Sequence, residues 1–69
     1  MVAKKLYNLH HRKPSSIGGS NHPGNTIIVN RYHHEAWHQL FQNKTAQEIA
    51  DTINGVWLDP MYVFVVRRR

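Results

Sequence analysis

Histidine pairs at two points of the chain place the tightest limit on how it can fold. His10 and His11 are adjacent, and His34 and His38 are four residues apart. Imidazole is the commonest side-chain ligand for divalent transition metals and a natural general base near neutral pH. If His34 and His38 lie on a helix, both rings project from one face and can share a cation. An isolated pair at that spacing is more often simply exposed, but the upstream pair favours a shared site.

The first histidine pair follows a sequence that is typical of one arm of a β-hairpin. Residues 6–9 form a short strand pattern that leads into His10 and His11, and the Ser-, Gly- and Pro-rich residues 15–24 indicate a loop. The β-branched run Thr26–Val29 predicts the second strand. Alternation along the first strand sends His10 and His11 to opposite sides, so one ring can bind a metal while the other faces a bound substrate.

Helical periodicity begins after the second strand and covers residues 31–42. Its apolar arc comprises Ala36, Trp37, Leu40 and Phe41, and the two spaced histidines lie along the edge of that arc. His33 falls near the centre of the arc, which favours a packed core imidazole over a ligand. A core role is favoured over a base-stacking platform for Trp37, Leu40, Phe41 and Trp57.

A second helix is predicted from a capping box in which Thr45 and Glu48 satisfy free backbone amides. Gly55 is expected to end this helix. Residues 61–66 are apolar and fit either a final strand or a docking tail. Together these elements predict one α+β domain over residues 1–69, with a ββα core at about 5–43, a second helix at about 45–55 and a C-terminal segment at 56–69.

Length and cysteine content limit what can stabilise such a domain. A chain of 69 residues buries only about 60% of its unfolded surface, so small domains often depend on a disulfide, a metal or a partner. Cysteine is absent, which excludes disulfides and thiolate metal sites. Any stabilising metal must therefore use imidazole, carboxylate, amide oxygen or water. The lack of cysteine also fits a reducing compartment, and a cytoplasmic location is expected.

The charge balance favours a polyanionic partner. Nine Lys and Arg residues oppose four Asp and Glu residues, giving a net charge of +5 with histidine neutral. The cations cluster at Lys4-Lys5, Arg12-Lys13 and Arg67-Arg68-Arg69, which predicts contact with nucleic acid. Charge alone fits a solvated, solubilising surface equally well. No apolar run approaches the roughly 20 residues of a membrane span, and no signal peptide is visible, so no membrane partner is expected.

The spacing from Leu9 to His38 resembles the HNH endonuclease family, whose ββα-metal finger carries a His-Asn-His signature. The likeness comprises the adjacent pair His10-His11, Pro14, the loop pair Gly18-Gly19, Pro23 two residues before Asn25, and His34. The continuation through residue 53 is similar, more loosely, to small bacterial and phage HNH-type proteins that lack zinc-binding cysteines.

The resemblance implies a role for each matched residue. His11 would be the general base that removes a proton from the attacking water, and His10 and His34 would hold a divalent metal. Asn25 would fix the loop by hydrogen bonds and keep the His11 ring oriented. His38 resembles the additional helix ligand of colicin-type DNases. These roles suit phosphodiester hydrolysis, which needs a base and a cation where charge develops.

Two features depart from the family pattern: the residues at positions 12 and 13, and the lack of an Asp before His11, which disfavours a preference for magnesium. Arg12 and Lys13 stand where aliphatic strand residues are usual; they fit phosphate contacts, or an early strand end and a degenerate site. Arg67–Arg69 fit phosphate contacts or a frayed end equally well. An imidazole-rich site favours zinc, nickel, cobalt or manganese over magnesium, and the identity of the native metal stays open.

The resemblance therefore implies a metal-dependent endonuclease that hydrolyses DNA phosphodiester bonds. The alternative is a non-catalytic nucleic-acid-binding or structural module that uses the metal for folding. A third possibility is a degenerate finger without metal. A unit this small leaves little room for a recognition element, so a homodimer or a larger phage or restriction assembly is expected to supply specificity.

Overall fold

The computed structural model describes residues 6–69 and consists of a two-stranded antiparallel hairpin followed by helices. The elements are β1 (Tyr7–His11), β2 (Thr26–Asn30), α1 (Arg31–Phe41) and α2 (Ala46–Thr52), with a π-helical turn over Ile53–Trp57. The predicted α+β class and ββα order are confirmed. Lys4, Lys5 and the predicted start of the core near residue 5 lie outside the described residues.

The long connection between the strands is held closed at its base and shaped by two glycines. His11 pairs with Thr26 at the end of the ladder, and Arg12 N donates to Asn25 O at 2.7 Å. Gly18 has a φ of 94°, a left-handed conformation that side chains disfavour. A Cβ on Gly19 would lie 1.7 Å from the Lys13 carbonyl oxygen. Both glycines are therefore required by the path of the loop.

Helix α1 begins without any linker after β2, and this fixes the direction in which its histidines point. Asn30 ends the strand and also caps the helix, because its Oδ1 accepts from Tyr32 N at 2.9 Å and from His33 N at 3.3 Å. The hairpin continues one step further through a hydrogen bond of 2.8 Å from Arg31 N to Leu6 O. The first turns of α1 are consequently held against β1.

The second helix starts as predicted but ends differently. Glu48 N donates to Thr45 Oγ1 at 3.3 Å and Thr45 N donates to Glu48 Oε1 at 3.0 Å, which confirms the capping box. The backbone hydrogen bond from Thr45 is the main reason that the pKa of Glu48 is lowered. The prediction that Gly55 ends the helix was wrong: α2 ends at Thr52, and Gly55 lies within the π-helical turn.

Very little of the described chain is buried. Phe41 and Ala50 are the buried side chains among residues 6–69, each 6% exposed, and the Trp37 ring packs on Phe41 at a centroid distance of 4.6 Å. Three predicted core residues are instead exposed, namely Leu40, Trp57 and His33. The predictions for Leu40 and His33 were wrong because α1 packs on a hairpin of only two strands, which covers a narrower strip than the apolar arc. The prediction for Trp57 was wrong because this residue ends the π-helical turn, where it is 63% exposed.

The tail, residues 58–69, forms neither helix nor strand, so of the two alternatives for residues 61–66 the final strand is absent. The apolar side chains of residues 61–66 are exposed, from 41% at Val66 to 84% at Met61. The Cα radius of gyration is 14.2 Å, whereas a compact domain of this length has about 11 Å. No helix within residues 6–69 is both long enough and apolar enough to cross a bilayer.

Candidate metal centre and histidine cleft

The hairpin and α1 bring three of the predicted histidines together. His10, near the end of β1, faces His34 and His38, which lie one turn apart on α1. Each ring offers one nitrogen, and the three nitrogens all lie within 4.8 Å of one another. The ring centroids are separated by 5.2 Å for His10 and His34 and by 4.5 Å for His34 and His38. We call this group the histidine triad.

The triad has the chemistry and dimensions of a nitrogen-ligand metal site. Imidazole nitrogens at about 2.0–2.1 Å from a tetrahedral ion lie about 3.3 Å from one another. His34 Nε2 and His38 Nε2 are 2.9 Å apart, near that spacing, and the three ligand nitrogens of the triad all lie within 4.8 Å of one another. His10 Nδ1 is buried and has no hydrogen-bond partner among the described residues. An all-imidazole set of this kind fits zinc, nickel or cobalt better than magnesium.

The electrostatics of the triad disfavour protonation of two of its rings, those of His10 and His34. Burial is the main cause of the lowered pKa of His10, followed by repulsion from His34 and His38. The pKa of His34 is also lowered, first by burial and then by His38. A neutral imidazole has the free lone pair that a metal ligand needs. The lowered pKa values of His10 and His34 therefore favour the form of these two rings that could bind a cation.

Asn8 supports the triad from behind. It lies two residues before His10 on β1, and its Nδ2 donates to His34 Nδ1 at 3.1 Å. Metal-bound histidines usually donate their second ring nitrogen to an acceptor, which fixes the ring orientation. If His34 Nε2 bound a cation, His34 Nδ1 would carry the ring proton. Nδ1 would then donate a hydrogen bond to Asn8 Oδ1, once the Asn8 amide had turned by half a rotation.

His11 lies next to the triad but is held by a different partner. A cleft of about 130 Å³, which we call the histidine cleft, is lined by His11 and by all three triad residues. His11 Nε2 donates to Asn21 Oδ1 at 2.7 Å. Because the amide oxygen can only accept, this bond places the ring proton on Nε2 and leaves Nδ1 as the basic nitrogen. The cleft is thus lined by one histidine outside the triad, His11, which has a hydrogen-bond partner of its own.

Asn25 ties the ends of the hairpin loop together. Its Oδ1 accepts from Lys13 N at 2.7 Å, and its Nδ2 donates to Lys13 O at 3.0 Å and to Ser20 O at 2.8 Å. These contacts are with backbone, whereas the direct contact with the His11 ring is made by Asn21. Asn25 therefore acts on His11 through the loop, since Ser20 directly precedes Asn21.

Asn8 and Asn21 were not predicted from the sequence as site residues. A sequence pattern that could have indicated this role exists only for Asn8. Strand alternation puts Asn8 on the same side as His10, so a polar residue there was available as a support for the triad. Asn21 lies in an irregular loop ten residues from His11. No periodicity relates these two positions, so their contact follows only from the folded loop.

The predicted nucleic-acid-binding cations occupy two separate places. Strand β1 ends at His11, so Arg12 and Lys13 begin the loop beside the cleft, and Arg12 Nη1 donates to Gly24 O at 3.4 Å. Arg67–Arg69 are exposed at the end of the tail and do not line the histidine cleft. His22 is exposed as expected, and its Nδ1 accepts from Gly24 N at 3.2 Å.

Comparison of the chain with protein-family models, with curated proteins and with solved structures gives no match. The site is accordingly interpreted from its own residues and geometry.

Proposed function

We propose that the protein is a metal-dependent endonuclease of the HNH type, a ββα-metal finger that hydrolyses phosphodiester bonds of DNA. The observation that carries this proposal is that four histidines line one cleft and that one of them lies outside the triad. Three of them converge on a point that suits a divalent ion, while the fourth, His11, is held by Asn21 with Nδ1 free.

In this mechanism, the His11 Nδ1 atom accepts a proton from the attacking water. Asn21 keeps the ring in the tautomer that can do so, and its oxygen stabilises the imidazolium that results. Arg12 and Lys13, which directly follow His11, attract the phosphates on either side of the scissile bond. A divalent ion held by the triad would supply positive charge where the phosphate and the leaving 3′ oxygen become negative.

Nicking of supercoiled plasmid with purified protein tests the proposal. We expect nicking with zinc, nickel, cobalt or manganese added singly, slower nicking with magnesium and none with EDTA. His11→Ala should reduce the rate by about 10²–10⁴-fold, the usual contribution of a general base, without weakening metal binding. His22→Ala is the matched control, because His22 is an exposed histidine that does not line the cleft. Equal nicking by wild type and His11→Ala would reject the mechanism.

The near-absence of a core supports a second candidate, a nucleic-acid-binding or structural module that holds metal for folding. With only Phe41 and Ala50 buried among the described residues, a bound ion would add a large share of the stability. In that case metal raises Tm, while the His11→Ala variant keeps full nucleic-acid binding and no nicking is seen in either protein. A finger without metal would show no change of Tm with chelator.

A further inference from the structure

A second, larger concavity lies on the other side of Trp37 from the histidine cleft. This apolar groove of about 680 Å³ runs between the hairpin loop and α2, and Phe64 of the tail closes one side. Small-molecule sites commonly have volumes of about 300–1,000 Å³, so the groove could hold a nucleotide-sized group. Trp37, Ile49 and Phe64 supply apolar wall.

The groove adjoins the proposed active site. Trp37 and Pro14 line both the histidine cleft and the apolar groove. The Trp37 ring centroid lies 6.0 Å from that of His10. A strand with its scissile phosphate in the cleft would therefore bring an adjacent nucleotide to the mouth of the groove.

The charges around the groove define what it can bind. Arg12, Lys13 and Lys44 line it, and no carboxylate does. Within residues 6–69 the ion pair is Arg31 with Glu35, so none of the three groove cations forms an ion pair. Lys44 is nevertheless close enough to Glu48 to contribute to the lowered pKa of that carboxylate. Apolar walls beside cations that form no ion pair suit a flat base attached to phosphates. A base within a duplex is stacked and paired, and cannot enter such a groove.

We propose that the apolar groove binds an unpaired base of the substrate strand, so that the protein prefers single-stranded or locally unpaired nucleic acid over perfect duplex. The proposal rests on the proposed function for the position of the scissile phosphate. The chemistry of the groove, which is three cations around apolar walls, is independent of whether cleavage occurs.

Binding without cleavage tests this directly. The protein carries His11→Ala to suppress cleavage, is kept with zinc present, and is titrated into a fluorescein-labelled 12-nucleotide single strand or into the same sequence as a duplex. We expect the single strand to bind about tenfold more tightly at equal salt, the scale of one stacked base. A further Trp57→Phe change leaves Trp37 as the sole indole, because the chain has two tryptophans. Its emission should be quenched by the single strand and not by the duplex.

Two matched pairs of variants locate the binding. Phe64→Ala removes a groove wall, whereas Tyr62→Ala removes an aromatic of the same tail that does not line the groove. Lys44→Gln removes a groove cation, and Gln39→Glu makes the same change of net charge at an exposed residue of α1 outside the groove. The first member of each pair should weaken single-strand binding by severalfold more than the second.

Equal affinity for single strand and duplex, or equal effects within both pairs, would overturn the assignment of the groove. Strand preference without plasmid nicking by the wild type would reject the nuclease and leave the groove assignment standing. Nicking by the wild type without a preference for the single strand would reject the groove assignment and leave the nuclease proposal standing. The two proposals can therefore fail separately.

Discussion

The histidine cleft and the tail both lack a buried core, but they differ in what holds them. Around the cleft, Asn8, Asn21 and Asn25 are hydrogen-bonded to a histidine ring or to loop backbone. In the tail, the side-chain anchor is Asn54, which pairs with both backbone polar groups of Phe64. Where few side chains are buried, hydrogen bonds from polar side chains fix the local geometry. The region with more of these hydrogen bonds, the histidine cleft, is therefore the better suited to hold catalytic groups in place.

Removal of one triad ligand should have the largest effect on the cleft. His34→Ala deletes an imidazole that faces His38 at 2.9 Å and that Asn8 supports. We expect the Kd for zinc or nickel, measured by calorimetry, to rise by more than about 100-fold, since loss of an outer-shell partner alone costs 10–100-fold.

The control for this prediction is the neighbouring residue. His33→Ala changes the same kind of side chain one position earlier on α1, but His33 is exposed and outside the triad. It should leave the Kd within about twofold of wild type. Similar losses in both variants would mean that the histidines bind metal nonspecifically and that the triad is not a site.

The local patterns around the cleft were readable from the sequence because each depends on residues close together in the chain. β-Branched residues 26–29, the four-residue spacing of His34 and His38, and the Thr45–Glu48 capping box gave the strand, the shared face and the helix start. Bringing His10 to the helix face required only a hairpin leading into a helix. The structure places these three rings together.

The burial of individual side chains could not be predicted in this way. It depends on how much surface each element covers in the folded protein, and a short sequence pattern does not give that area. The apolar arc of α1 predicted a core role for Leu40, yet a hairpin of two strands leaves it 45% exposed. Trp57 is 63% exposed at the end of the π-helical turn. Gly55 predicted a helix end and gave no indication of this turn. The contacts of Asn21 and Asn54 join positions ten residues apart through irregular backbone and could not be predicted.

Two loop asparagines separate the orientation of His11 from the integrity of its loop. Asn25→Ala removes three hydrogen bonds to Lys13 and Ser20 and should lower the free energy of unfolding by about 1–3 kcal/mol. Asn21→Ala removes only the bond to His11 and should reduce nicking by about tenfold with little change in Tm. Both variants should keep the wild-type Kd for metal.

Thermal unfolding, calorimetry and plasmid nicking on the two variants check this separation. If Asn21→Ala lowers Tm as much as Asn25→Ala does, Asn21 is part of the loop scaffold. If Asn21→Ala nicks at the wild-type rate, the contact with His11 does not position the base. Either result would remove Asn21 from the mechanism.

The smallest effect is expected at the tail. Asn54→Ala removes the two hydrogen bonds of 2.8 Å to Phe64 N and O, in a partly exposed setting where each contributes at most about 1 kcal/mol. Metal affinity should not change, because neither residue lines the histidine cleft. The change should be seen instead as faster chymotryptic cleavage after Phe64, since local opening controls access of the protease.

Cleavage after Tyr62 in the same digest supplies an internal reference, because Tyr62 is 71% exposed and has no bond to Asn54. A several-fold rise in the ratio of Phe64 to Tyr62 cleavage, with an unchanged Kd for metal, would show that the tail opens independently of the cleft. If Asn54→Ala weakened metal binding, the two regions would be coupled through α2 and Trp37. In that case the tail would help to hold the triad in place. The tail and the histidine cleft would then differ only in how exposed they are.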